Sequence, residues 1–358
     1  MASPTGSERA IADSLIDELR GFGLDVEEDD AAAAAGAGAG NLIARLHGPD
    51  ERFVMLCAHI DTVPHDDPIE VALNDGVYTS RGNTILGADD KAALSSIVEL
   101  AAGFEGRAPP IGLELVLTVA EETGLRGAAA LDTTSLRSEY GFVLDHASPI
   151  GEVIVAAPTY KKLVADFEGV AAHSGIRPED GRSAIAAAGD AITEMRLGRL
   201  DGETSANVGV IKGGSATNIV PRECRVEAEA RSLDHARASE VIGSMVDACT
   251  WAAGEHGCDV GIEVSELFRG YRISPGSVPA SIARAAVGQC GHEVTDVVTG
   301  GGSDANAFIS AGFDCVLLAN GTKDNHAPVE SVEAARLDEM LEICEAIVEL
   351  SASQVAES

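Results

Sequence analysis

The chain has 358 residues and carries a formal net charge of −33, from 58 acidic and 25 basic side chains. That length exceeds what one hydrophobic core usually fills, so two domains are expected; with 45% hydrophobic but only 4% aromatic residues, Ala, Val, Leu and Ile must do the packing. The charge excludes nucleic acid and anionic membrane as partners, because phosphates would be repelled and counterion release would not drive association.

In chain order, Ile11, Leu15, Leu19 and Phe22 recur at helical spacing and predict a helix over about 7–21. Gly36, Gly38 and Gly40 resemble a dinucleotide loop but lack the flanking strand and helix that such a loop needs, so residues 31–40 read as a surface loop. The apolar run 53–58 has the look of a buried strand and delivers His59 and Asp61 at its C-terminal end, where open α/β sheets place their sites. Run 113–120 delivers Glu121 and Glu122, run 142–144 delivers Asp145, and run 315–319 precedes the loop holding His326. Four strand ends are therefore expected on one rim.

From 157 to 273 the pattern changes. Strand-like segments at 163–169, 206–212, 224–230 and 259–265 are interleaved with helical stretches at 183–197 and 234–256, which makes a small α+β domain. A helix at 278–289, a strand at 294–298 and a last helix over 331–350 follow, the last with Val332, Leu337, Leu341, Cys344 and Val348 as its buried stripe. The expected organisation is a discontinuous catalytic domain, 1–156 and 274–358, with an insert at 157–273. Seven scattered cysteines without a Cys-x-x-Cys pair read as reduced, mostly buried thiols. The first residues lack a basic segment followed by an apolar one, and no run approaches the ~20 apolar residues of a membrane span. A cytoplasmic protein is expected.

Among His59 with Asp61, Asp89, the pair Glu121 and Glu122, Asp145 and His326, five side chains are ligand types that would hold two zinc-like ions, and one extra carboxylate is left to carry a proton. That is the inventory of a two-metal hydrolase. Each segment also has a plainer reading. Asp61 suits a structural His59, Asp89 or Asp90 suits a helix cap, and Glu121 and Glu122 suit an exposed loop, although adjacent carboxylates beside a dry core repel each other unless cations compensate them.

The combination is more specific than its parts. Ala-His-Ile-Asp-Thr-Val-Pro (58–64), Gly-Ala-Asp-Asp-Lys (87–91), Ala-Glu-Glu-Thr-Gly (120–124), Asp145 after its strand and Asn-His-Ala (325–327) resemble, in order and spacing, a known family. It is the co-catalytic zinc metallopeptidase family that includes peptidase T, aminoacylase, glutamate carboxypeptidase and succinyl-diaminopimelate desuccinylase. The Ala-Asp-Asp-Lys form and Gly-Gly-Gly-Ser-Asp-Ala-Asn (300–306) are most similar to its peptidase T-like (tripeptidase) branch. The resemblance implies an α/β fold: a zinc-peptidase-like catalytic domain with a mixed sheet flanked by helices, and an inserted α+β, ferredoxin-like lid and dimerisation domain.

It also implies roles. Asp89 would bridge two zinc ions, with cobalt or manganese as alternatives; His59 and Asp145 would complete one site, Glu122 and His326 the other. Glu121 would be the general base and Asp61 would orient His59. In the insert, His173 matches a histidine that in many relatives reaches a neighbouring active site, although a plain surface histidine reads as well. Asn218 would contact substrate, and Gly301, Gly302 and Ser303 would offer backbone amides at a helix start. Peptidase T has an arginine directly before its Gly-Gly-Thr-Asp segment, where this chain has Thr299-Gly300; either Arg231, Arg269 or Arg272 takes a peptide carboxylate instead, or the substrate differs. The expected activity is aminopeptidase or tripeptidase action on short peptides, by a homodimer joined through the lid domain. Deacylation of N-acyl amino acids or carboxypeptidase action is the near alternative, and a non-catalytic peptide-binding protein the distant one.

Overall fold

In the computed structural model, which describes residues 1–354, the chain divides into two compact units. One comprises Met1–Ala156, Arg272–Thr299 and the chain from Ser303 onward; the other comprises Ala157–Tyr271 with Gly300–Gly302. The glycine triplet thus groups with the insert rather than with the segments on either side of it.

The first unit is built on a mixed sheet. Its strands lie in the order Asp25–Glu28, Leu42–Leu46, Gly112–Thr118, Phe53–His59, Tyr140–His146, Asp314–Ala319 and Glu152–Ala157. Gly112–Thr118, Phe53–His59, Tyr140–His146 and Asp314–Ala319 pair in parallel, neighbour to neighbour. Every residue of Phe53–His59 and Gly112–Thr118 is buried. Parallel strands are covered on both faces, which is why they read as continuous apolar runs. Helices Arg9–Gly21, Ala88–Gly103, Val278–Gln289 and Ala334–Ser353 supply the cover, and Leu19, Leu56, Ile97, Leu115, Phe142 and Ile347 share one core. A parallel block carries all its strand C-termini to one edge, and there the chain leaves the sheet four times.

Two expectations change in this unit. Residues 31–40 are not a plain surface loop: Ala32–Ala35 form a helical turn that ends at Gly36, whose φ of 69° is left-handed. A Cβ on Gly40 would stand 2.1 Å from the Asp29 carbonyl oxygen, so this glycine is demanded by close packing. The last helix starts at Ala334. Val332 instead belongs to strand Ser331–Glu333, opposite Tyr78, and the helix buries Met340, Ile343, Cys344, Ile347 and Val348.

The second unit runs strand Thr159–Glu168, helix Ala184–Glu194, strands Thr204–Gly213 and Glu223–Ser232, helix His235–Glu255 and strand Asp259–Phe268. Apart from the short Gly198–Arg199, the sheet order is 204–213, 223–232, 159–168, 259–268, all antiparallel. This is the βαββαβ ferredoxin-like arrangement. Strand Glu223–Ser232 alternates strictly, burying Cys224, Val226, Ala228, Ala230 and Ser232, as a sheet covered on one face requires. The Ser183 and Asp234 side chains cap the two helices. Among the described residues no helix is long and apolar enough to cross a membrane.

Leu56 is fully buried in the parallel block. Leu56→Ala is expected to lower stability by about 2–5 kcal/mol, read as a shift of the first unit's urea unfolding transition; an unshifted transition would contradict the packing described.

Candidate metal centre

Strand Phe53–His59 ends at His59, which is 1% exposed. After strand Gly112–Thr118 the chain turns sharply at Ala120, whose φ of 51° is left-handed, and presents Glu121 and Glu122. Asp61 holds that turn in place: its carboxylate accepts the backbone N–H of Glu121 at 3.0 Å and of Glu122 at 3.4 Å. It also accepts the Thr5 hydroxyl at 2.6 Å and lies 3.4 Å from His59 Nδ1. Asp145 stands near the end of strand Tyr140–His146.

Asp89 and Asp90 sit in the first turn of helix Ala88–Gly103, joined by a cis peptide. Neither carboxylate caps the helix. Asp89 lies between two imidazoles, with Oδ1 3.3 Å from His59 Nε2 and Oδ2 3.0 Å from His326 Nε2. Asp90 accepts the Asn320 amide at 3.1 Å and the His59 backbone N–H at 3.3 Å. Asp145 Oδ1 is 3.8 Å from His59 Nε2, and Glu122 Oε2 is 3.0 Å from His326 Nε2. Ligand atoms of His59, Asp89 and Glu122 fall within 4.8 Å of one another, as do those of His59, Asp90 and Asp145.

The charges do not balance. Burial, reinforced by neighbouring carboxylates, pushes the Glu121, Asp145 and Asp90 carboxyls well above their ordinary range. Asp89 goes the other way: burial would raise it, but His326 and His59 hold it down. His59 is raised because Asp61, Asp89 and the charges of Asp145 and Glu121 overcome its desolvation. Even with both imidazoles protonated, carboxyl groups outnumber cations here, and Glu122 Oε1 is buried without a partner. A set of imidazoles and excess carboxylates within a few ångströms, one oxygen unpaired, has the chemistry of a divalent-cation site.

The structure thus brings together His59, Asp61, Asp89, Glu121, Glu122, Asp145 and His326 in the first unit. Others have engagements of their own. The Ser303 N–H donates to the Asn306 side chain at 3.2 Å. Gly302 leaves no room for a side chain, since a Cβ would meet the Phe268 ring at 2.3 Å; Gly301 lies beside it in the second unit. The Arg231 guanidinium is bound to both Glu229 oxygens at 3.2 Å, donates to the Gly300 carbonyl at 3.0 Å and stacks on Tyr160 at 4.2 Å. The Nε–Nη2 edge of the guanidinium is therefore taken by Glu229. In the second unit His173 pairs with Ile219 as an isolated bridge and Ser174 N–H donates to the Asn218 carbonyl, so His173 and Asn218 are neighbours.

Sequence reasoning passed over Thr5, Asn320 and the side chain of Asp304. Asp304 is 1% exposed, takes the Thr118 hydroxyl and is pushed up to about 6 by burial. Its place in the Gly-Gly-Gly-Ser-Asp run was a signal; Thr5 and Asn320 had none, being tied to the site only through the fold.

The family profile described as Peptidase family M28 matches residues 41–170, and the Peptidase dimerisation domain profile matches 159–257. An uncharacterized protein of Bacillus subtilis, YqjE, is 37% identical over 352 residues, 98% of this chain and 95% of its own. The crystal structure of aminopeptidase PepT from Bacillus cereus superposes with a TM-score of 0.87 at 36% identity, covering 99% of this chain and 95% of that one. A tripeptidase from Staphylococcus aureus superposes with a TM-score of 0.92 at 34% identity and the same coverage.

Without a metal, Asp89 and Glu122 hold the His326 proton, raising its pKa from 6.5 to about 10. The stabilisation from these pairs is complete below pH 6.5, where the unfolded chain is protonated too, and is lost as pH rises through about 10. In chelator-treated protein the His326 ring signal in NMR should titrate near that value, and metal uptake at neutral pH should release protons in calorimetry. A midpoint at or below 6.5 would contradict the geometry.

Proposed function

The chain belongs to the peptidase T-like branch of the metallopeptidases and is a hydrolase of peptide bonds, and on that premise we propose that it removes the N-terminal residue of short peptides with the help of two divalent ions, zinc in the first instance. The observation that carries this reading is the Asp89 carboxylate set between His59 and His326, with Glu121 buried beside them. Asp89 would be shared by both ions; His59 and Asp145 would complete one set of ligands, Glu122 and His326 the other. When bound, such ions act as Lewis acids that polarise the scissile carbonyl and make water more acidic.

The chain's own groups do the rest. Burial raises the proton affinity of Glu121, which suits a base that takes a proton from the attacking water and later hands it to the departing amine. Asp61 fixes the Glu121 and Glu122 backbone and sits against the His59 ring, so base and ligands hold one spacing. His173 and Asn218 are the candidates for substrate contact from the second unit, with Gly301, Gly302 and Ser303 as the amide-bearing segment. The match of residues 159–257 to a dimerisation domain supports a homodimer through this unit. Tripeptidase action has the support of the aminopeptidase and tripeptidase named above. The engagement of Arg231 by Glu229 favours a substrate carboxylate held elsewhere, and keeps N-acyl amino acids in view as the second substrate class.

Zinc-loaded protein incubated with tripeptides, dipeptides and N-acetylated amino acids should release the first residue of free tripeptides, and a chelator should stop it. Cleavage restricted to acylated compounds would assign a deacylase instead. Glu121→Gln should keep metal uptake while lowering kcat by roughly 10²–10⁴-fold; an unchanged kcat would remove the proposed base.

A further inference from the structure

The turn that carries His326 also carries Glu330, a residue with no part in the chemistry above. It is 1% exposed, and among the described residues it belongs to neither of the clusters that could hold a metal ion. Oε2 accepts the backbone N–H groups of Leu86 and Gly87, both at 2.8 Å, and Oε1 accepts the N–H of Asp89 at 2.9 Å. A carboxylate receiving several N–H donors is held far more firmly than a neutral acceptor would be. Glu330 is anchored on its own side as well. Its N–H donates to the Ala327 carbonyl at 3.0 Å, and the Ala327 N–H donates to the Asp324 carbonyl at 3.3 Å. Two residues further on, Val332 enters the small sheet opposite Tyr78.

One buried side chain therefore laces the segment leading into Asp89 to the segment that leaves His326. The two ligands are 237 positions apart by number, 89 and 326, and they come from different elements. His326 adopts a left-handed φ of 65° in a short turn, which by itself does not fix where its ring stands relative to Asp89.

We propose that Glu330 is a positioning residue that sets the spacing between Asp89 and His326 and so tunes the affinity of the ion these two share with Glu122. The proposal rests on the two-ion reading of the site. Glu330→Gln keeps the shape but turns an NH₂ group toward backbone donors, and Glu330→Asp keeps the charge but shortens the reach. Neither replaces a metal ligand or the base.

The test is calorimetric titration of chelator-stripped protein with Zn²⁺, together with thermal unfolding and kcat and KM at limiting and saturating Zn²⁺. Glu114 is the control: it is fully buried and accepts Arg45 Nε at 2.7 Å and the N–H groups of Arg137 and Ser138 at 3.0 and 2.9 Å, at the sheet end opposite Glu121. Glu330→Gln should weaken the weaker ion by roughly 10–100-fold, with kcat recovered at high Zn²⁺ and KM unchanged, and Glu330→Asp should fall between it and the wild type. Glu114→Gln should lose stability and keep both affinities. Wild-type affinities in Glu330→Gln, or an equal loss in Glu114→Gln, would overturn the proposal. If Glu330→Gln does not fold, Glu330→Asp is titrated in its place and wild-type affinities there overturn it equally. A wild-type protein that takes up no Zn²⁺ would remove the two-ion reading itself, and this proposal with it.

Discussion

Too many carboxyl groups meet at one edge of a buried parallel sheet, and the rest of the structure is arranged around that excess. His59 and His326 are the imidazoles within reach, and they face Asp61, Asp89, Asp90, Glu121, Glu122 and Asp145. In a dry environment such groups must share protons or share cations. On the reading proposed above, bound divalent cations would offset the solvation given up here and relieve the crowding of the carboxylates. The opposed behaviour of Asp89, held down, and Asp145 and Glu121, pushed up, follows from position alone: only Asp89 has an imidazole on each oxygen.

Such a cluster is useful only if its members do not relax away from one another. Backbone and side-chain donors provide the restraint. Asp61 holds the turn that presents Glu121 and Glu122, Asn320 holds Asp90, and Thr5 from the start of the chain holds Asp61. The left-handed residues Ala120 and His326 lie inside this restrained zone, where surrounding hydrogen bonds maintain conformations that local sequence would not choose. Lys91 contributes from outside, donating to Ser3 Oγ at 2.7 Å, with burial lowering its pKa to about 8.

What could be read in advance follows from physics of two ranges. Runs 53–58 and 113–120 were legible as strands because burial on both faces makes them continuously apolar, and the acids that end them stand out against that background. The second unit was legible for the opposite reason: strict alternation in Cys224, Val226, Ala228 and Ala230 is the mark of a half-covered strand. Val332 reads as part of the last helix because its spacing to Leu337 and Leu341 fits a helical stripe, whereas its pairing with Tyr78 is a contact between segments some 250 positions apart, 78 and 332. The supports of the site were hidden for the same reason. Thr5, Asn320 and Glu330 have no local pattern that marks them, and each acquires its task only when the sheet edge brings distant turns together. Arg231 shows the converse, since a plausible anion-binding side chain is already engaged by Glu229.

The most direct test is diffraction from crystals soaked in zinc, with data collected on both sides of the zinc absorption edge. The account predicts two anomalous peaks in the first unit, one among His59, Asp89 and Asp145 and the other among Asp89, Glu122 and His326. An edge with no peak, or a peak that leaves Asp89 untouched, would contradict it.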